Sequence, residues 1–183
     1  MARPREFDTD MVLNALLDVF WERGYEGASY AHIMAATGLR KGSLYTAFGD
    51  KRSLYLNALA QYDASNVSDG VAMLSNNNLT GTERIGALMQ NLVDAAETKR
   101  GRWGCLLGNA AVDQAPFDNQ TETIVLKSMN RLKVAIAKAL EGTKAADKAE
   151  AIWTLYFGGR VMIKSGASKT TLAAIKAQTL SLL

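Results

Sequence analysis

Two prolines in 183 residues, Pro4 and Pro116, leave almost the whole chain free to run as helix. The apolar residues use that freedom. They recur at steps of three and four, and no run alternates apolar with polar residues over a strand's length. Leu13, Leu16, Leu17 and Phe20 keep this step, with Asp8 and Asp10 before them to suit a helix N-terminus and Gly24 after them as a stop. The pattern predicts a first helix over about 9–23. Ser29 caps a short second helix around Ile33, Gly38 supplies the positive φ of a tight turn, and a third short helix covers about 40–47.

From Lys51 a longer helix is predicted to about Ser75, ended by Asn76-Asn77-Asn78, whose short polar side chains compete for backbone hydrogen bonds. Ile85, Leu88, Met89, Leu92 and Val93 mark a helix near 82–99, and a shorter one near 104–114 stops before Pro116. Val125, Met129, Leu132, Ile136 and Leu140 mark the next, near 119–141. In the last two helices Ala149, Ile152, Tyr156, Gly159 and Ile163, then Leu172, Ile175, Thr179 and Leu182, step like pairing seams. The expectation is an all-α fold of about nine helices, forming a homodimer through about 145–165 and 169–183, with Ile152, Tyr156, Gly159, Ile163, Leu172 and Ile175 at the interface.

Composition removes several classes of function. One cysteine, Cys105, and one histidine, His32, cannot build a structural Cys/His metal cluster, so neither metal nor cofactor is expected. No window reaches the roughly 18 to 20 apolar residues of a membrane span. No apolar segment follows Ala2-Arg3-Pro4-Arg5-Glu6 as a signal peptide would require, so a cytoplasmic protein without a membrane partner is expected. The net charge of +3 hints at a polyanion partner. Residues 1–55 balance seven basic against seven acidic residues, yet 37–52 holds Arg40, Lys41, Lys51 and Arg52 against Asp50 alone.

The stretch from Ser29 to Lys51 reads as helix, turn, helix. Gly24-Tyr25, Ser29, Ile33, Gly38-Leu39, Lys41-Gly42-Ser43-Leu44-Tyr45, Phe48 and Lys51 closely resemble, in type and spacing, the DNA-binding domain of the TetR/AcrR family over about the first sixty residues. The resemblance implies a helix-turn-helix domain over 1–50, a regulatory and dimerisation domain over 51–183, and a double-stranded operator as partner. It also implies roles. Arg40 and Lys41 open the recognition helix and reach guanine edges or phosphates, while Gly42 and Ser43 permit close approach. Tyr45 sets its hydroxyl on a phosphate while its ring packs inward. Lys51, with the open N–H groups of the next helix, takes backbone phosphate, and Ser29 does likewise. Tyr30 and Thr46, with Arg3 and Arg5 as a basic arm, complete the expected DNA contacts. Ile33, Leu39, Leu44 and Phe48 read as core.

Three positions depart from the family pattern. Arg40 stands where a small hydroxyl residue caps the recognition helix, Ala47 where an aromatic or histidine is common, and Thr37 where a small apolar residue sits beside the turn.

The larger part carries no motif of comparable specificity. Its helix order looks like the family's regulatory domain, which implies a small hydrophobic effector, with Met89, Trp103, Asn109, Phe117, Met129, Trp153, Tyr156 and Phe157 as candidate lining and Asn109, Gln114 and Arg160 as polar anchors. The resulting expectation is a repressor, not an enzyme, released from a pseudo-palindromic operator by its effector. The linking helix from Lys51 would be the lever. Two other readings stand beside it: a DNA-binding protein without effector, and a thiol sensor through Cys105, which follows the basic run Lys99, Arg100 and Arg102 at a helix start. Enzymatic use of Cys105 lacks a base, since His32 belongs to the other part.

Overall fold

The computed structural model describes residues 7–183, whose regular structure is helical, with no strand among them; Arg3 and Arg5, expected as a basic arm, lie outside the described residues. The chain separates into two compact units, one closing at Tyr62 and the other spanning Asp63–Leu183.

The first unit holds α1 (Thr9–Gly27), α2 (Tyr30–Thr37), α3 (Lys41–Phe48) and α4 (Lys51–Tyr62). Asp8 starts α1 by accepting the N–H groups of Asp10 and Met11 at 2.9 and 3.2 Å. Gly24 breaks it at φ 70°, ψ 177°, where the stop was expected, before one more turn to Gly27. The stripe on α1 is wider than the sequence reading and leaves out one of its residues. Val12, Val19 and Trp21 are buried with Leu16, Leu17 and Phe20, while Leu13 is half-buried. Opposite them, α4 contributes Leu54, Ala58 and Leu59 to the same core, which is why α4 belongs to this unit although the sequence grouped it with the larger part. Edge-on ring contacts tie the two helices, Phe20 to Tyr55 at 5.2 Å and Trp21 to Tyr62 at 4.9 Å.

The second unit opens on a π-helical segment (Asp63–Val67), followed by α5 (Ser68–Leu74), α6 (Gly81–Ala95), α7 (Leu106–Asp113), α8 (Asn119–Leu140), α9 (Ala149–Lys164) and α10 (Lys169–Leu180). One uninterrupted helix over 51–75 was expected. The π turn divides it, and counting α4 to α5 as one interrupted helix gives nine among the described residues. A side-chain clamp holds that turn. The Ser68 hydroxyl donates to the Asp63 carbonyl at 3.0 Å, and Arg131 of α8 donates to Ser68 Oγ at 3.1 Å and to the Asp63 carboxylate.

Helix α6 ends at Ala95, short of the expected 99, and α7 runs 106–113. The Thr80/Glu83 pair caps α6 reciprocally, while Asp118 and Ser168 cap α8 and α10. Ile85, Leu88, Leu92, Ile136, Leu140, Ile152 and Leu172 form the core.

The terminal seams face this core. Ile152 and Leu172 are 0% exposed, Ile163 is 1% exposed, and a Cβ at Gly159 would meet Leu92. The assignment of these four residues to a subunit interface is therefore corrected: they are closed off inside the chain's own unit, where α9 and α10 pack on α8 and α6. Tyr156 and Ile175 are half-buried on the flank of the same core.

Candidate nucleic-acid interface

The helix-turn-helix is assembled by local hydrogen bonds. Ser29 Oγ accepts the His32 N–H at 3.2 Å and the Ser29 N–H donates to His32 Nδ1 at 3.3 Å, a capping box in which histidine takes the place usual for Glu or Gln. At the other end of α2, Gly38 adopts φ 69° and donates its N–H to the Met34 carbonyl at 2.9 Å. Thr37, from which no consequence was read, fastens the turn. Its hydroxyl donates to the Ile33 carbonyl at 2.8 Å and accepts the Leu39 N–H at 3.3 Å. Helix α3 begins at Arg40 without a side-chain cap, as the loss of the small hydroxyl residue implied.

One face of this module is closed and the other open. Ile33 and Leu44 are completely buried, while Leu39 and Phe48 are half-buried, Phe48 against the Phe7 ring at 6.0 Å. Arg40, Lys41, Gly42, Ser43, Tyr45 and Thr46 are all exposed, and a Cβ at Gly42 would meet nothing within 4 Å, so nothing inside the fold demands glycine there. The expected inward packing of the Tyr45 ring is corrected: the side chain is 63% exposed, because Leu44 already occupies the inward position. Ser29 is exposed, and Tyr30 and Lys51 are half-buried.

Two lysines rest on tyrosine rings. Lys41 Nζ lies 4.5 Å from the ring centre of Tyr30 and Lys51 Nζ 4.7 Å from that of Tyr25. The N-terminus of α4 is already occupied in part. The Asp50 carboxylate accepts the Ser53 N–H at 2.8 Å, and the Ser53 backbone and hydroxyl, with Arg52 beside them, hold its carboxyl below the usual range. A phosphate at Lys51 therefore meets an acid at that helix end, which the expectation of open N–H groups did not include.

In the second unit, Cys105, Gly108, Asn109, Val112, Asp113, Val161 and Lys164 line a cleft of about 200 Å³. Of the eight residues proposed from the sequence as effector lining, Asn109 is in this cleft. Met89 is sealed in the core at 0% exposure, and Phe117 stands 85% exposed. Trp103 and Met129 are half-buried. Trp153 gathers Tyr156 and Phe157 around it at ring distances of 6.5 and 5.4 Å. Asn109 Nδ2 donates to the Trp103 carbonyl at 3.3 Å, and Arg160, 6% exposed, donates to the Gly104 carbonyl at 2.8 Å, which ties α9 to the start of α7.

Sequence reasoning missed the tyrosine seats and the cap made by His32. Ser29-x-x-His32 was a signal for the cap; the seats join residues that no local pattern connects.

Residues 12–58 match the sequence profile of the family described as bacterial regulatory proteins, tetR family. The HTH-type transcriptional regulator YezE of Bacillus subtilis is 31% identical over 153 residues, covering 82% of this chain and 76% of its own length. The HTH-type transcriptional repressor ComR of Escherichia coli is 38% identical over 60 residues, 33% of this chain and 29% of its own. A solved cysteine variant of the TetR family regulator CifR, complexed with 26-bp double-strand operator DNA, superposes with a TM-score of 0.81 at 28% identity and covers 98% of each chain. An exposed recognition helix on a buried two-residue anchor, together with these likenesses, identifies the chain as a DNA-binding transcriptional regulator of the TetR family.

Proposed function

We propose that this regulator is a cytoplasmic repressor that binds a pseudo-palindromic operator as a homodimer and leaves it when a small hydrophobic effector occupies the larger unit. The observation that carries the DNA side is the open face of α3, where Lys41, Gly42, Ser43, Tyr45 and Thr46 stand clear of the fold on a module anchored by Ile33 and Leu44. A helix presented this way enters a major groove, and two related copies read half-sites about one DNA turn apart. Lys41 and Arg40 serve base edges or phosphates at the start of α3, and Lys51 serves the backbone. The names of ComR and of two further relatives, AcnR and BdcR, include the word repressor, which favours repression over activation.

Among the described residues no helix is long and apolar enough to cross a membrane. The effector must bind the DNA-incompetent state more tightly, since only differential affinity shifts such an equilibrium.

The test is selection of a duplex from a randomised library by the wild-type protein. The expected product is a sequence with two-fold symmetry bound by two chains. Recovery of no preferred duplex, or of an asymmetric one bound by a single chain, would overturn the proposal.

A second reading, thiol-based sensing, is favoured by the setting of Cys105. Its Sγ accepts the Gly108 N–H at 3.4 Å at the start of α7, and the side chain lines the cleft that also contains Lys164. Oxidant release of wild-type protein but not of a Cys105→Ser variant from the selected duplex supports this reading; equal release of both removes it.

A further inference from the structure

Lys41 is the first residue of the recognition helix, and its long side chain would by default sample many rotamers in water. Instead the ammonium sits over the Tyr30 ring, 4.5 Å from its centre. Tyr30 is itself the first residue of α2, and the residue before it is fixed by the Ser29/His32 capping box. A chain of restraint thus runs from the α2 cap through an aromatic ring to the charge at the head of α3. The ring can receive one face of the ammonium, and an ammonium has three donors, so others remain for base or phosphate acceptors.

The same device recurs at the start of α4. Lys51 lies over Tyr25, whose ring is held by Phe20 at 6.4 Å and Tyr55 at 5.1 Å.

We propose that Tyr30 is a positioning residue for sequence reading, which holds the Lys41 ammonium at the groove-facing start of α3 and so sharpens discrimination among duplexes. The proposal rests on the reading of Lys41 as a base-contacting residue. Its physical source is preorganisation: a lysine already seated gives up less side-chain freedom on binding. An exposed contact of this kind is worth about twofold to fivefold in affinity.

The experiment uses the full chain and the duplex selected by the wild type, with a scrambled duplex of equal composition as reference. Tyr30→Phe keeps the ring and with it the wild-type ratio of affinities for the two duplexes. Tyr30→Leu loses about twofold to fivefold on the selected duplex with little change on the scrambled one. Lys41→Met loses more, about tenfold, and the double variant Tyr30→Leu/Lys41→Met binds no more weakly than Lys41→Met alone. Losses that multiply in the double variant would show that Tyr30 touches DNA itself and overturn the proposal. So would wild-type discrimination by Tyr30→Leu.

A measurement on the free protein separates the seat from the DNA role. Ring-current displacement of the Lys41 ε-methylene proton resonances is expected in wild type and Tyr30→Phe and is absent in Tyr30→Leu. If the displacement is present but Lys41→Met binds like wild type, the role of Lys41 fails and the proposal falls with it. If it is missing from wild type, the seat itself does not exist.

Discussion

Gly159 and Leu92 meet so closely that a methyl group at Gly159 would stand 2.6 Å from Leu92 Cδ2. Leu92 is fully buried, so its side chain can give way only by shifting the core around it. Gly159→Ala is therefore expected to destabilise the fold by about 1 to 3 kcal/mol through overpacking. Its neighbour Gly158, where a Cβ would meet nothing within 4 Å, gains about 0.5 to 1 kcal/mol from the same change through helix propensity. Urea unfolding of the two variants side by side checks the pair, and equal stabilities would contradict the close packing on α6.

If Ile152, Ile163 and Leu172 serve the core, a homodimer through α9 must use the opposite side. Val161 at 52% and Met162 at 38% exposure lie there. Val161→Glu is expected to produce monomers at micromolar concentration with unchanged helicity and weakened operator binding, whereas Ile163→Glu should unfold the chain. Light scattering with circular dichroism distinguishes them. A dimeric Val161→Glu protein would place the interface elsewhere.

The Arg131 clamp predicts a stability effect at the π turn. Removing the guanidinium takes the partner from an Asp63 carboxylate whose Oδ1 is buried without a hydrogen bond. Because the Arg131 and Asp63 side chains are 37% and 25% exposed, the expected cost of Arg131→Ala is only about 1 to 2 kcal/mol. Hydrogen exchange at residues 63–68 should quicken by more than the global change. Uniform quickening across the whole unit would argue against a local clamp.

Burial pushes the Tyr156 phenol above its ordinary value of 10.0, with Arg160 opposing and Cys105 adding to the rise. The folded state thus keeps the neutral phenol while the unfolded chain ionises near 10.0. The stability tied to this group is complete below that pH and is lost as pH rises through the folded value. Between pH about 9 and 11, wild type should therefore lose more unfolding free energy than Tyr156→Phe. Parallel curves for the two proteins would exclude the effect.

What the sequence alone determined was whatever a few neighbouring residues decide among themselves. The Ser29 cap, the left-handed Gly38, the missing cap at Arg40 and the break at Gly24 are short-range matters of hydrogen bonding and backbone sterics, and each was legible before any fold was known. Helical periodicity likewise placed most of the helices, because an apolar stripe with a step of three and four has one local solution.

Only the tertiary structure decided what those stripes face. Ile152, Ile163 and Leu172 have the same spacing whether they meet a second chain or α6 and α8 of their own, since periodicity records that a face is buried and not what buries it. The outward turn of Tyr45, the placing of Met89 in the core and the seating of Lys41 on Tyr30 have the same origin. Each depends on which side chain fills a shared space best, whether the rival is a neighbour, as Leu44 is to Tyr45, or lies on a segment distant in sequence.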